Sequence, residues 1–148
     1  MVEKSVVINK PRQDIFDYLK YTRNQENFSI WNMADPDKKT SFHGTDGTEG
    51  FIYSWESKVK NVGASSQKIT KMVDGDRIEY ELRFERPMKN TAHSKFILEE
   101  KAGDQTLVNW NFKGPNKFPM TLLTGFFRRL LGRDMSQSLE NLKFILEN

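Results

Sequence analysis

The sequence predicts an α+β domain in which a curved antiparallel sheet of about seven strands wraps around a long C-terminal helix. Three observations carry this expectation. Alternation of apolar and polar residues, the period of a strand, recurs between residues 40 and 113. Turn residues separate those runs. From Phe118 onward the apolar period changes from 2 to 3.6, the period of a helix.

Residues 2–9 read as the first strand, with Val6 and Ile8 on one face. Pro11 is expected at the first helical position, where a missing N–H costs nothing, with Asn9 as the cap before it. Ile15, Phe16 and Leu19 follow at helical spacing and form one buried face. A second short helical piece is expected over 23–31, ending before the turn Asp35-Pro36-Asp37.

Strands are then expected over 40–44, 50–57 and 65–73. In the second of these, Phe51, Tyr53 and Trp55 share a face. Over 76–85 the pattern is cleaner: Ile78, Tyr80, Leu82 and Phe84 face one way, and Glu79, Glu81, Arg83 and Glu85 the other. One packed face and one wet face are the mark of an antiparallel sheet. Asp74-Gly75 predicts a tight two-residue hairpin turn, because Asp-Gly readily takes positive φ. Ala102-Gly103-Asp104 joins the last pair, residues 91–100 and 105–113. Phe96 and Leu98, then Val108, Trp110 and Phe112, face in; Leu107, Asn109 and Asn111 face out.

The terminal helix carries two apolar stripes. Leu122, Leu123, Phe126, Phe127, Leu130 and Leu131 form the first; Met135, Leu139, Leu142, Ile145 and Leu146 form the second. The second is rotated from the first by very roughly a quarter turn. Gly132 lies at the junction and predicts a kink or break there. An apolar face this wide requires concave surroundings.

Composition narrows the function classes. The chain has no Cys, which excludes disulfides, thiolate catalysis and cysteine-based metal sites. Its two histidines, His43 and His93, do not suggest a metal centre, and no cofactor is expected. A net charge of +3 is too mild to indicate nucleic acid, and no aromatic–basic platform accompanies it. No segment approaches the roughly 20 apolar residues of a membrane span, and no apolar stretch suits a signal peptide. A single cytoplasmic domain over residues 1–148 is the expectation.

Three local patterns resemble one superfamily. Ser5-Val6-Val7-Ile8-Asn9-Lys10-Pro11 followed by Ile15-Phe16-Asp17-Tyr18-Leu19 is similar to its opening strand, proline and helix. Trp31 ends the two-helix segment, and the tail runs from Phe118-Pro119-Met120 to Ser138-Leu139-Glu140-Asn141-Leu142-Lys143. Together they resemble the SRPBCC or START-like superfamily with its helix-grip (Bet v 1/START-like) fold. The tail looks like the polyketide cyclase/dehydrase-like bacterial branch. The resemblance implies a cavity between the curved sheet and the C-terminal helix, holding a small hydrophobic or aromatic molecule. It does not fix an activity.

The inward aromatics are the candidate ligand-binding residues, since ligand pockets are mostly apolar with a few placed polar groups. From the sheet and the helical pair these are Trp31, Phe51, Tyr53, Trp55, Tyr80, Phe84, Phe96, Trp110 and Phe112; from the terminal helix, Met120, Leu123 and Phe127. Each could instead fill the core. So many rings leave room only for a small ligand. Tyr53 and Tyr80 carry hydroxyls that need partners if buried, which makes them the polar anchors. A cyclase/dehydratase-type enzyme is the alternative, with Tyr53, Tyr80 or His93 as acid/base groups. Alternation places His93 on the outer face, and only a bulge would turn it inward.

Outward Glu79, Glu81 and Glu85 are expected to pair with Lys95 and other basic residues across strands. Between Lys113 and Arg133 lie Lys117, Arg128 and Arg129 and no acidic residue. That stretch reads either as a membrane-surface or chaperone-cofactor interface, or as the solvated outside of a helix whose Phe and Leu face inward. Monomer and homodimer are both open.

Overall fold

The computed structural model describes residues 1–58, 63–86, 89–114 and 125–148, the side chains of 86, 125–128 and 130 excepted. The chain order is β1 (Val2–Ile8), α1 (Arg12–Leu19), a 3-10 turn (Thr22–Asn24), α2 (Gln25–Phe28), α3 (Ile30–Met33), then β2 (Lys39–His43) and β3 (Ile52–Glu56). There follow β4 (Ala64–Val73), β5 (Arg77–Arg86), β6 (Asn90–Lys101), β7 (Gln105–Lys113) and α4 (Gly125–Glu147). The seven strands form one antiparallel sheet in the order β1-β7-β6-β5-β4-β3-β2. Each strand pairs with its chain neighbour, except that β1 closes onto β7.

Register partners share a face, so the pairing sorts the concave side into rows. One row is Ile69, Tyr80, Ser94 and Phe112; the next is Tyr53, Gln67, Leu82 and Ala92; the next is Trp55, Ser65, Phe84 and Asn90. Register shifts at Ala64/Ser65 and Ile69/Lys71 interrupt the β4–β5 ladder. Such irregularities bend and twist the strand that carries them.

The second stripe of α4 buries Met135, Leu139 and Leu142, and the helix packs on β1, α2 and α3. Fully burying side chains of this kind contributes about 2 kcal/mol each. Polar clips fix the docking. The Ser138 hydroxyl accepts the Ile30 N–H at 2.9 Å and donates to the Asp134 carbonyl at 2.8 Å. Asn141 Nδ2 donates to the Phe28 carbonyl at 3.1 Å, and Lys143 Nζ to the Val7 carbonyl at 2.7 Å.

Several expectations are corrected. Pro11 is the residue capping α1, with extended backbone, and α1 begins at Arg12. Asn9 serves elsewhere: its side chain accepts from Gln105, and its N–H donates to Glu147. The hairpin loops are three residues long, since Val73 pairs with Arg77 and Lys101 with Gln105. In the first loop Gly75 alone has positive φ, +72°, and the Asp76 N–H bonds the Val73 carbonyl at 2.9 Å. A two-residue type I′ turn would need positive φ at Asp74 as well.

Helix α4 runs unbroken through Gly132. Its glycine serves close approach: a Cβ built there would lie 2.9 Å from Lys4 Cε. The outer-face ion pairs run along β5, Arg77 to Glu79 and Arg83 to Glu81, at 2.9 and 2.7 Å, instead of across to Lys95. Asn111 is buried although it faces outward between Glu3 and Lys95. Most of the first α4 stripe, Leu122 and Leu123 included, falls outside the described residues. Among the described residues no helix is long and apolar enough to cross a membrane.

Candidate functional site

The concave face changes chemistry along the strands. On β1, β6 and β7 it is apolar and filled by Ile8, Leu98, Val108, Phe96 and Trp110, all buried. Phe96 and Trp110 stack at 4.9 Å between ring centroids, and Trp31 tilts onto Trp110 at 5.4 Å. The Trp31 indole N–H donates to Asp134 of α4 at 3.3 Å, so this ring ties the α2–α3 pair to the long helix. These three rings are packed against one another.

Further along the strands the buried face becomes small and polar. Ser65 and Gln67 on β4, between the strands of Tyr53 and Tyr80, are buried there, as are Ala92 and Ser94 on β6 beyond Tyr80. Tyr53 and Tyr80 are 0% and 1% exposed. Neither hydroxyl has a hydrogen-bond partner. A buried polar group left unpaired costs about 1–3 kcal/mol, and natural cores hold few of them.

The opposite wall has the same character. Thr22, Gln25 and Ser29 are buried on the helical segment that follows α1, and Thr22 Oγ1, Gln25 Nε2 and Ser29 Oγ also lack partners. Burial pushes the pKa of the Tyr80 hydroxyl well above the usual tyrosine value; the Gln25 side chain offsets this in part, and the negative charge of Asp46 adds to the rise. Asp46 itself anchors this wall: its carboxylate accepts the N–H groups of Thr22 at 2.7 Å, Gly47 at 2.9 Å and Arg23 at 3.1 Å.

The remaining candidates fall into three groups. Phe51 is buried, and Trp55 is half-buried against Tyr53 at 5.6 Å. Phe112 is half-buried on the concave side, in the row of Tyr80. Phe84, also half-buried, contributes to an open groove of about 380 Å³ that Glu81, Arg83, Glu85, Lys89, Asn90 and Thr91 complete. That groove is charged and sits at the β5–β6 hairpin. Met120 and Leu123 lie outside the described residues, and Phe127 falls in the first turn of α4, where side chains are not described.

His93 is exposed on the outer face, opposite Glu81 and Lys113 in an uninterrupted register. His43 is exposed at the end of the edge strand β2. Of the basic stretch, Lys113, Arg129 and Arg133 are exposed, while Lys117 and the Arg128 side chain lie outside the described residues. The described residues contain no cluster of three or more metal-ligating side chains.

No protein-family model matches the chain, and no curated protein matches it in sequence. Solved structures match its backbone from end to end. DynU16, a protein of the dynemicin biosynthetic locus, superposes with a TM-score of 0.69 at 13% identity, over 99% of this chain and 47% of that one. The Aha1 dimer from Colwellia psychrerythraea gives 0.65 at 17% identity, over 99% and 95%. Ara h 8.0201 gives 0.62 at 11% identity, over 97% and 94%.

The chain has a helix-grip fold. The START-like arrangement expected from the sequence is present in element order, sheet and terminal helix. At these identities the likeness establishes the fold alone, and the chain spans about half the length of DynU16. Sequence reasoning missed Thr22, Gln25 and Ser29. Their signal was spacing: three polar residues at helical intervals, on the side of the segment that turns inward beside Leu19 and Phe28.

Proposed function

We propose that this protein binds a small hydrophobic or aromatic molecule on the concave side of the sheet, between Tyr53 and Tyr80 and the Thr22–Ser29 wall. The single observation that carries this reading is the pair of buried, unpartnered hydroxyls of Tyr53 and Tyr80. Ligand sites combine an apolar lining with a few converging polar groups, and this end of the concave face has that composition. The binding partner is a small molecule, and the exposed groove at the β5–β6 hairpin is too charged to suit it. The fold's occurrence in DynU16, a protein from a biosynthetic locus, is compatible with a small-molecule ligand.

A cyclase-type activity has less support. His93 points to solvent on the opposite face, and Tyr80 holds its proton too firmly for acid/base work near neutral pH. Titration with the neutral fluorophore N-phenyl-1-naphthylamine tests the binding reading. Saturable binding at one site is expected, abolished by Ala92→Trp, which fills the buried face beside Leu82. Absence of saturable binding, or binding that a correctly folded Ala92→Trp retains, would contradict it.

A further inference from the structure

We infer that the β2–β3 loop is a gate over the concave side of the sheet, latched by Asp46 and Arg23, and that a ligand enters across the edge strand β2 when the latch releases. This rests on the binding reading above and adds the route to the site.

The sheet ends at β2, and all five residues of that strand are exposed. Phe42 lies opposite Tyr53 in the register, so the two side chains share the concave face. The Phe42 ring stacks on Phe51 at 6.2 Å between centroids and tilts onto Tyr53 at 5.4 Å. Phe51 and Tyr53 are buried, whereas Phe42 is 42% exposed. At this edge the Phe42 ring stands between solvent and Tyr53.

The 3-10 turn holds this edge closed. The Arg23 guanidinium lies 3.9 Å from the centre of the Phe42 ring and 3.9 Å from the Asp46 carboxylate. Asp46 in turn accepts the N–H groups of Thr22 and Arg23. The Tyr21 ring packs on Gly47 so closely that a Cβ there would lie 2.9 Å from its Cε1. None of the residues from Gly44 to Gly50 is buried, and Tyr21 and Arg23 are themselves exposed. A segment held by a few polar bonds and little buried apolar area is one that opens locally. The base of the loop stays fixed to β4: the Gly50 N–H donates to the Ile69 carbonyl at 2.8 Å, and Glu49 accepts the Met72 N–H at 2.9 Å. Gly44 and Gly47, with φ of +91° and +85°, supply the backbone freedom for the tip to swing away from Thr22.

Stopped-flow mixing of the full chain with N-phenyl-1-naphthylamine reads the rates of uptake and release. Asp46→Ala should raise both, each by about tenfold or more, because a latch limits passage in either direction. Phe42→Ala should raise both by roughly two- to fivefold, the worth of an exposed cation–π contact. A purely structural role for Asp46 would speed release alone. The chain has no cysteine, so Arg23→Cys combined with Phe42→Cys gives a unique pair for a short bis-maleimide. Joining that pair should nearly stop uptake, compared with the same variant whose thiols are capped singly. Equal uptake by the joined and capped proteins, or faster release without faster uptake in Asp46→Ala, would overturn the gate and leave the binding reading standing. If the parent chain binds no probe, the binding reading falls and this inference with it.

Discussion

Tyr53 on β3 and Tyr80 on β5 lie two strands apart in the sheet, both buried, and neither hydroxyl has a hydrogen-bond partner. A buried hydroxyl without a partner is a stability cost that a ligand can relieve. Tyr80→Phe should therefore stabilise the ligand-free protein by about 1 kcal/mol, because it removes an unsatisfied buried hydroxyl. The same substitution should weaken binding of an oxygen-bearing probe. Urea denaturation checks the first effect, and a loss of 1 kcal/mol or more would show that the hydroxyl is satisfied in solution.

Asp46 joins the β2–β3 loop to the start of the helical wall through the N–H groups of Thr22 and Arg23. Asp46→Ala should cost about 2 kcal/mol, the range for hydrogen bonds to an ionised acceptor. Amide exchange locates the effect. Protection should fall at Thr22, Arg23 and Gly47 and persist at Leu98 and Val108 in the β6–β7 core.

At Gly132 the helix passes the Lys4 side chain, and the nearest atom to an added Cβ is Cε, near the free end of a flexible chain. Lys4 can move aside at little cost. Gly132→Ala should then gain up to about 1 kcal/mol from helix propensity. Gly132→Val should lose that gain, because a branched residue must also displace Val2, whose Cγ1 lies 3.7 Å from the Cβ position. Comparing urea midpoints of the two variants is sufficient, and destabilisation by Gly132→Ala would show that Lys4 does not move aside.

Asp35 contributes a pH dependence. The Ser57 hydroxyl donates to its carboxylate, with help from the Asp37 N–H at 2.9 Å and the charge of Lys38, and together they hold the pKa below the ordinary 3.8. A folded-state pKa below the unfolded one means that the unfolded chain binds the proton first. The stabilisation is therefore complete above about pH 3.8 and is lost as pH falls from there through the folded value. Asp35→Asn should be less stable than the parent at pH 7, and the difference should shrink toward pH 2. A difference that is constant with pH would show that the carboxylate's charge plays no part.

Much of this architecture is legible in the sequence where a period of 2 is strict. Tyr53 and Tyr80 follow from alternation within β3 and β5, and the outward position of His93 from the same rule. The helical wall is less legible, because Thr22, Gln25 and Ser29 break the rule that inward residues are apolar. That exception is what gives the site its chemistry. Gly132 misleads for a different reason: a mid-helix glycine costs only about 1 kcal/mol, and packing of Met135, Leu139 and Leu142 offsets it. The neighbour that explains it, Lys4, lies at the other end of the chain. Turn length escapes too, since Asp74-Gly75-Asp76 supports a three-residue loop as readily as a two-residue one.

The most direct test of a ligand site on the concave face is a 1H–15N NMR titration with 2-naphthol. The Gln25 side-chain amide and the backbone amides of Tyr53, Gln67, Tyr80 and Ala92 should shift together along one saturation curve. Shifts confined to the Glu81–Thr91 groove, or shifts that never saturate, would contradict it.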